Sequence, residues 1–402
     1  MADLSGANRE IGRRPFLGMV GMGVLTGAGT TAAANGPARS GQPTVPAPRP
    51  AAHVAATRPM ASGIAYIGGF TSTIGIAELD TATGGLTGAG TVSGVQNPSF
   101  LARSADGRFM YAVADADEGR TAAFSIGADG GLTWLGDQSS EGVMSTHLSI
   151  HPSGKYLLVA NYGSGSTVVF PINANGTLSA VCDQVTYTGS GPDPSQEGPH
   201  AHMVVTDPGG RYQLVPDLGA DVVHVHTLDT ATGKLSTVAD TSIRSGAGPR
   251  HLAFHPKAPY LYLVSELDAT VTVCGFDAET GALTPQQVLP AAPAGGPKNA
   301  PAEIAVSKDA RFVYVSNRGP NSVSIFTVEE GGKTLRALSA TPCGGDWPRH
   351  LVLDASGTLL LVSNQNSGTV TSFRVDPASG GLTSIGQPYS SSGASFLLPP
   401  AT

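Results

Sequence analysis

From about residue 61 onward, short alternations of apolar and polar residues follow one another, each bounded by Gly, Pro, Asn or Asp. A period of two with such punctuation predicts β-strands joined by tight turns; the 3.6-residue period of a helix is missing beyond the N-terminus. One stretch sets the pattern. GPRHLAFHPKAPYLYLVSE, residues 248–266, reads as a strand, a turn and a second strand, and close cousins begin at Asn97, Met144, Pro199, Pro301 and Trp347. A second hairpin follows each, marked by a Gly-x-Leu signature whose leucines are Leu86, Leu132, Leu178, Leu235, Leu283, Leu335 and Leu382. Their spacings are 46, 46, 57, 48, 52 and 47. Four short strands per unit at this period predict an all-β, seven-bladed β-propeller over residues 61–402.

The chain ends predict how the ring closes. The first unit has strands at 64–68, 75–79 and 86–92 but no innermost strand before them. Residues 394–399, ASFLLP, resemble the innermost strand PSFLARS at 98–104. The C-terminal strand is therefore expected to join the N-terminal blade, which removes two exposed sheet edges.

Residues 1–34 carry no part of this pattern. Arg13 and Arg14 precede a weakly apolar, Gly-rich run at 18–29 and an A-x-A-like site at 31–34. This is the layout of a twin-arginine signal peptide, and the apolar run is too short to span a bilayer. It implies a precursor handled by the Tat export machinery, a secreted or cell-envelope protein of a bacterium, and no stable membrane insertion after signal removal. Residues 35–60 are rich in Pro and Ala and read as a disordered linker.

Composition narrows the partners. The formal net charge is −7 and charged residues make up 13%, so there is no general attraction to nucleic acid or an anionic membrane. The three cysteines, Cys182, Cys274 and Cys343, lie in different units without metal spacing and read as buried thiols.

Aligning the units places Phe100, His147, His202, His251, Glu303, His350 and Phe396 in one column near the start of the innermost strands. From this column to the next signature leucine the distances are 32, 31, 33, 32, 32 and 32. Length varies instead in the connections between units, longest at 189–198 and 291–301, and these reach the same face as the column. A second column, at the ends of the second strands, holds Asp115, Asn161, Asp217, Glu266, Asn317 and Asn364. Tyr162, Arg318 and Gln365 come next; His200, Arg250 and Arg349 stand beside the first column. Positions shared by many blades serve structure as readily as function, and His147, Asn161, Asn317 and Asn364 fit either role. Positions that break the repeat (Arg250, Arg349, Arg318, Glu266, Glu303, His200) are the stronger functional candidates. Arg binds carboxylate or phosphate and stabilises an oxyanion, while His and Glu activate water or carry a proton. A ring of histidines lacks metal-ligand spacing, so no metal is expected. His224 and His226 share a face of a third strand, far from the axis, and read as packed or solvated. His151 and His255 read as turn residues on the opposite face.

PHAH at 199–202, PDLGAD at 216–221, GPRH at 248–251, PAEI at 301–304, SNRG at 316–319, and PRH with SNQ at 348–350 and 363–365 resemble the seven-bladed lactonase family. That family includes bacterial cycloisomerase-type 6-phosphogluconolactonases and fungal carboxy-cis,cis-muconate cyclases. The resemblance spans residues 61 to about 398. It implies opening or closing of a small-molecule lactone without a cofactor, with His200, His202, Arg250, Glu266, Glu303 and Arg318 as site residues. Arg250, Arg318 and Arg349 are expected to hold an anionic group, with His147, His251, His350 and Gln365 lining the site. Glu266 or a histidine is expected to activate water, and His202 or His200 to protonate the leaving alkoxide. One position departs: Ser195–Gln196 stands where the family often carries Arg-Gln, which together with export argues against a phosphorylated substrate. A non-catalytic propeller that binds a small anion or envelope partner, and a lactone-forming cycloisomerase, are the alternative readings.

Overall fold

The computed structural model describes residues 62–401; the expected signal peptide and linker lie outside the described residues. Seven four-stranded antiparallel sheets follow one another. The first blade consists of Ser62–Gly69, Thr73–Asp80 and Leu86–Ser93, completed on its inner side by the C-terminal strand Ala394–Leu398. The inner strands of blades 2 to 7 are Leu101–Arg103, Ser145–Ile150, Val205–Thr206, Pro249–Phe254, Ala300–Val306 and Pro348–Leu353. Neighbouring blades touch along these strands around the whole ring, the C-terminal strand lying between those of blades 7 and 2. The expected closure is what the structure shows.

The second strands are mostly apolar, with polar residues chiefly at their ends, because both of their faces pack against other blades. YLLVAN in blade 3 and LLLVSN in blade 7 are buried at every position. The outer strands alternate with solvent and are rich in Ser, Thr and Gly. Blade 3 departs from expectation. Leu178 does not open its outer strand; it keeps its place in the core through a single bridge to Ile172. The chain rejoins the sheet only at Asp183, opposite Val169, and the outer strand is just Asp183–Thr186.

A repeated hydrogen bond explains both the Gly-x-Leu signature and the tyrosines of the second strands. Tyr66, Tyr111, Tyr262 and Tyr314 each donate a buried hydroxyl to a glycine carbonyl in the next blade's outer hairpin: Gly130, Gly176, Gly332 and Gly380, at 2.9, 3.1, 3.0 and 3.1 Å. Between the last blade and the first, Ser372 Oγ donates to Gly84 O at 2.7 Å. These hairpin glycines need positive φ and also tolerate no side chain. Gly176 has φ +84°, and a Cβ there would lie 2.1 Å from the Phe109 ring.

Tyr111→Phe strands a buried carbonyl and is expected to destabilise the ring by about 1–3 kcal/mol. Gly176→Ala, which adds backbone strain and a clash, is expected to cost more. Urea melts of the two variants check the order; equal midpoints for both variants and the parent contradict it.

Candidate active site

The site begins with a slip in register. Where the inner strand enters from the face of the long connections, its pairing with the second strand shifts by one residue in blades 1, 3, 5, 6 and 7. Blade 4 shows the same shift, Ala201 pairing with Asp217 but Val205 with Leu214. A bulge of this kind re-aims side chains, so two consecutive residues turn toward the axis. The result is two tiers. The lower one holds Phe100, His147, Met203, His251, Glu303, His350 and Phe396; the upper one holds Ser99, Thr146, His202, Arg250, Ala302, Arg349 and Ser395. Both tiers line one narrow central pocket.

Two sequence alignments are corrected by this geometry. His202 was expected in the ring of His251, but Ala201 pairs with Asp217 as Pro249 pairs with Ser265, so His202 matches Arg250 and Met203 takes the lower place. Met203 Sδ accepts the Leu252 N–H at 3.3 Å, as His147 Nδ1 accepts that of Val204 and His350 Nδ1 that of Leu397, both at 3.4 Å. His202 thus rises beside the arginines. Glu266 was expected to replace the Asn or Asp at the second-strand end. Ser265 does so instead: it pairs with Pro249 as Asn161 pairs with Ser145, Asn317 with Pro301 and Asn364 with Pro348. Glu266 stands one step farther out, level with Tyr162, Arg318 and Gln365.

From there Glu266 holds two guanidinium groups. Arg250 Nε donates to it at 3.0 Å and Arg318 Nη2 approaches to 2.7 Å. Backbone carbonyls fix the other sides: Arg250 Nη1 donates to Ala302 O at 2.6 Å, and Arg318 Nε to Ala300 O at 2.7 Å. Arg349 is held more loosely, 5.0 Å over the Phe70 ring and 3.5 Å from Gln365 Oε1. His202 is 5% exposed, meets Tyr162 edge-on at 5.5 Å, and its Nδ1 has no hydrogen-bond partner. A buried imidazole nitrogen without a partner beside an arginine cluster points to a bound water or substrate.

The other candidates separate from this centre. His200 stacks on Tyr162 at 4.4 Å, binds the Tyr162 carbonyl through Nδ1 at 2.9 Å, and lies behind that ring. His147, His251 and His350 pack with Phe100 and Phe396 in the lower tier, ring centres 4.0–6.3 Å apart. Glu303 closes that tier, with His251 Nδ1 at 3.0 Å and His350 Nε2 at 3.7 Å. The amide column is structural: Asn161 accepts from Ser145 Oγ at 2.8 Å and donates to Ser140 O at 3.0 Å. His151 reaches Gly210 O of the next blade at 3.2 Å. His224 is buried between Asp240, at 2.8 Å, and Asp217, at 3.5 Å, and His226 binds the Tyr187 hydroxyl at 2.9 Å. Trp347, whose ring faces Arg318 at 5.5 Å, and Phe70 belong to the mouth and were not singled out from the sequence. Among the described residues no three His, Cys, Asp or Glu are placed to hold a metal ion.

Burial and charge set the protonation states. Burial opposes the charge of Glu266, but Arg318 and Arg250 outweigh it and its pKa is lowered. Burial raises that of Glu303 despite His350 and Arg250. Burial and the neighbouring Arg318 bring Arg250 down to about 9, still charged at neutral pH. Burial, then Arg250, His251 and Arg349, push His202 well below the usual histidine range. His202 is therefore held in its neutral form.

The chain matches the family model "Lactonase, 7-bladed beta-propeller" over residues 64–399. It is 34% identical to a 6-phosphogluconolactonase of Bacillus subtilis over 331 residues, 81% of this chain and 94% of that one. Among solved structures it resembles a periplasmic gluconolactonase from Pseudomonas aeruginosa, with TM-score 0.81 and 30% identity over 85% of this chain and 99% of that one. A putative 6-phosphogluconolactonase from Bacteroides fragilis gives TM-score 0.79 and 29% identity over 84% and 98%.

The buried histidines make the fold acid-sensitive. Burial lowers His147, His202 and His251 well below 6.5, and brings His226 and His350 down to about 4. Below pH 6.5 the unfolded chain takes up protons that the folded ring refuses. Stability present above 6.5 is therefore lost as pH falls toward 4, by about 1.4 kcal/mol per pH unit for each such histidine. Urea midpoints measured from pH 7.5 to 4.5 are expected to fall steeply, and His350→Phe to flatten the curve. A flat profile in the parent protein contradicts this.

Proposed function

Since the chain belongs to the seven-bladed β-propeller lactonase family, we propose that it is an exported lactonase that hydrolyses an unphosphorylated sugar-type lactone at the upper tier. The observation that carries this reading is the buried, unpartnered Nδ1 of His202 in the pocket it shares with Arg250 and Arg349. A lactone carbonyl seated among the arginines is polarised, and its tetrahedral oxyanion is stabilised by groups already fixed in place. Neutral His202 takes one proton from the attacking water and returns it to the departing ring oxygen, leaving a hydroxyl and a carboxylic acid that releases the water's other proton to solvent as the carboxylate forms. Glu266, pinned between two guanidinium groups, is a poor base; its part is to hold Arg250 and Arg318 in register.

Charge favours an unphosphorylated substrate. Arg250, Arg318 and Arg349 face the three carboxyl groups of Glu266, Glu303 and Asp115, a balance that leaves little cationic charge for a phosphate dianion. In the loop where the family often has Arg, Ser195 Oγ is turned to Asp193 at 2.6 Å and Glu197 lies near His200. Export is supported by Arg13, Arg14 and the run that follows them, and by the similarity to a protein described as periplasmic.

Assays of the exported protein on glucono-δ-lactone, 6-phosphogluconolactone and a carboxymuconolactone test this. The unphosphorylated sugar lactone is expected to be turned over best, and His202→Ala or Arg250→Ala to lower kcat by about 10²–10³. Lysine at positions 13 and 14 is expected to keep the activity in the cytoplasm. No turnover on any of the three, or full activity in both variants, defeats the proposal.

A further inference from the structure

A cavity of about 600 Å³ opens over blade 2, against the connection that enters it from blade 1, on the same face as the central mouth. We propose that it is a subsite for a neutral, polyhydroxylated group, a sugar ring, carried by the substrate beyond the lactone. The proposal rests on the lactonase reading for its kinetic arm only.

Trp134 forms one wall. It is 41% exposed, an unusual state for so large an apolar ring. Its edge-to-face contact with Phe124, at 5.3 Å, holds the ring in place, and Gly94 lies beneath it without a side chain. The position departs from the repeat. Two residues after the signature leucine, the other regular outer strands carry Gly88, Thr237, Pro285, Ala337 and Ser384, all far smaller. Packing in those blades needs no aromatic there, so packing does not account for Trp134.

The polar walls select the ligand. Arg120 is the one cation lining the cavity, and it is engaged by Asp137 and by Glu118. Gln96, Asn97 and Asp117 add amide and carboxylate groups. An anion finds no unengaged cation here, whereas hydroxyls find acceptors and donors around a flat apolar ring. That is the complement of a sugar, which has a C–H face and a hydroxyl rim; Trp suits such an amphipathic surface.

Asp115 joins this cavity to the central site. It closes the inner end, accepts a hydrogen bond from Ser99 Oγ at 3.2 Å, and its charge is partly offset by nearby Arg349. Ser99 lines the central pocket. In the proposed pose a lactone over Arg349 carries its glycosyl substituent past Ser99, which borders the central pocket, and Asp115, which borders the cavity, toward Trp134. The substrate class is a disaccharide lactone whose second ring is uncharged.

The chain has two tryptophans, Trp134 and Trp347, so Trp347→Phe leaves Trp134 as sole emitter. Titration of that variant with cellobiose is expected to shift the Trp134 emission saturably, and glucose-6-phosphate to have no effect. In kinetics, Trp134→Ala is expected to raise KM for cellobiono-δ-lactone about five- to tenfold while glucono-δ-lactone stays within about twofold. An unchanged emission with cellobiose overturns the subsite, as does a Trp134→Ala defect equal on both lactones. Should neither lactone be hydrolysed, the lactonase reading fails and the titration alone decides the subsite. It also decides should Trp134→Ala fail to fold.

Discussion

The one-residue excess in the inner strands is the constraint on which the site depends. An unbroken strand sends alternate side chains to opposite faces, so a single ring of residues would reach the axis. The slip adds a second ring directly above. Apolar and imidazole groups and Glu303 fill the lower ring and close the channel; the upper ring carries Arg250, Arg349 and His202 among small residues. Arg250 and Arg349 are the extra residues themselves. Without the slip they would not stand above His251 and His350.

Such a slip holds only if the blades are fixed relative to one another. Tyrosine-to-hairpin hydrogen bonds fasten the second strands of blades 1, 2, 5 and 6 to the next blade, and the glycines that accept them admit the neighbouring side chains at close range. The upper tier then needs little support of its own. Glu266 lies between two guanidinium groups already tied to backbone carbonyls, so the arginines are preorganised before a substrate arrives. The cost is paid below, where several neutral histidines and Glu303 are held out of water.

The architecture was legible because it repeats. Blade count, ring closure by 394–399 and the inward face of most of the column follow from spacing and strand pattern alone. The errors fell where a histidine one position off was aligned with the column or where an end residue was compared across blades. His202 lies 33 residues before its signature leucine while the majority of the column lies 32 before theirs; that excess was the visible sign that Met203 holds the lower place. Glu266 followed the strand end in sequence, but the pairing of Pro249 with Ser265 fixes the true match. Trp347 and Phe70 left no periodic trace, since they lie in connections and meet the arginines only through the ring's curvature. Trp134 was readable as a lone large residue at a small-residue position, a comparison that needs the outer strands in register.

The central claim is that a lactone is held over the open nitrogen of His202 by the upper-tier arginines. A crystal structure of the protein with a non-hydrolysable sugar lactam tests it directly. The account predicts the lactam carbonyl oxygen within about 3 Å of an Arg250 or Arg349 nitrogen, with a water or ring atom at about the same distance from His202 Nδ1. A lactam seated on the opposite face, or on the upper face without contact to His202 and both arginines, would contradict it.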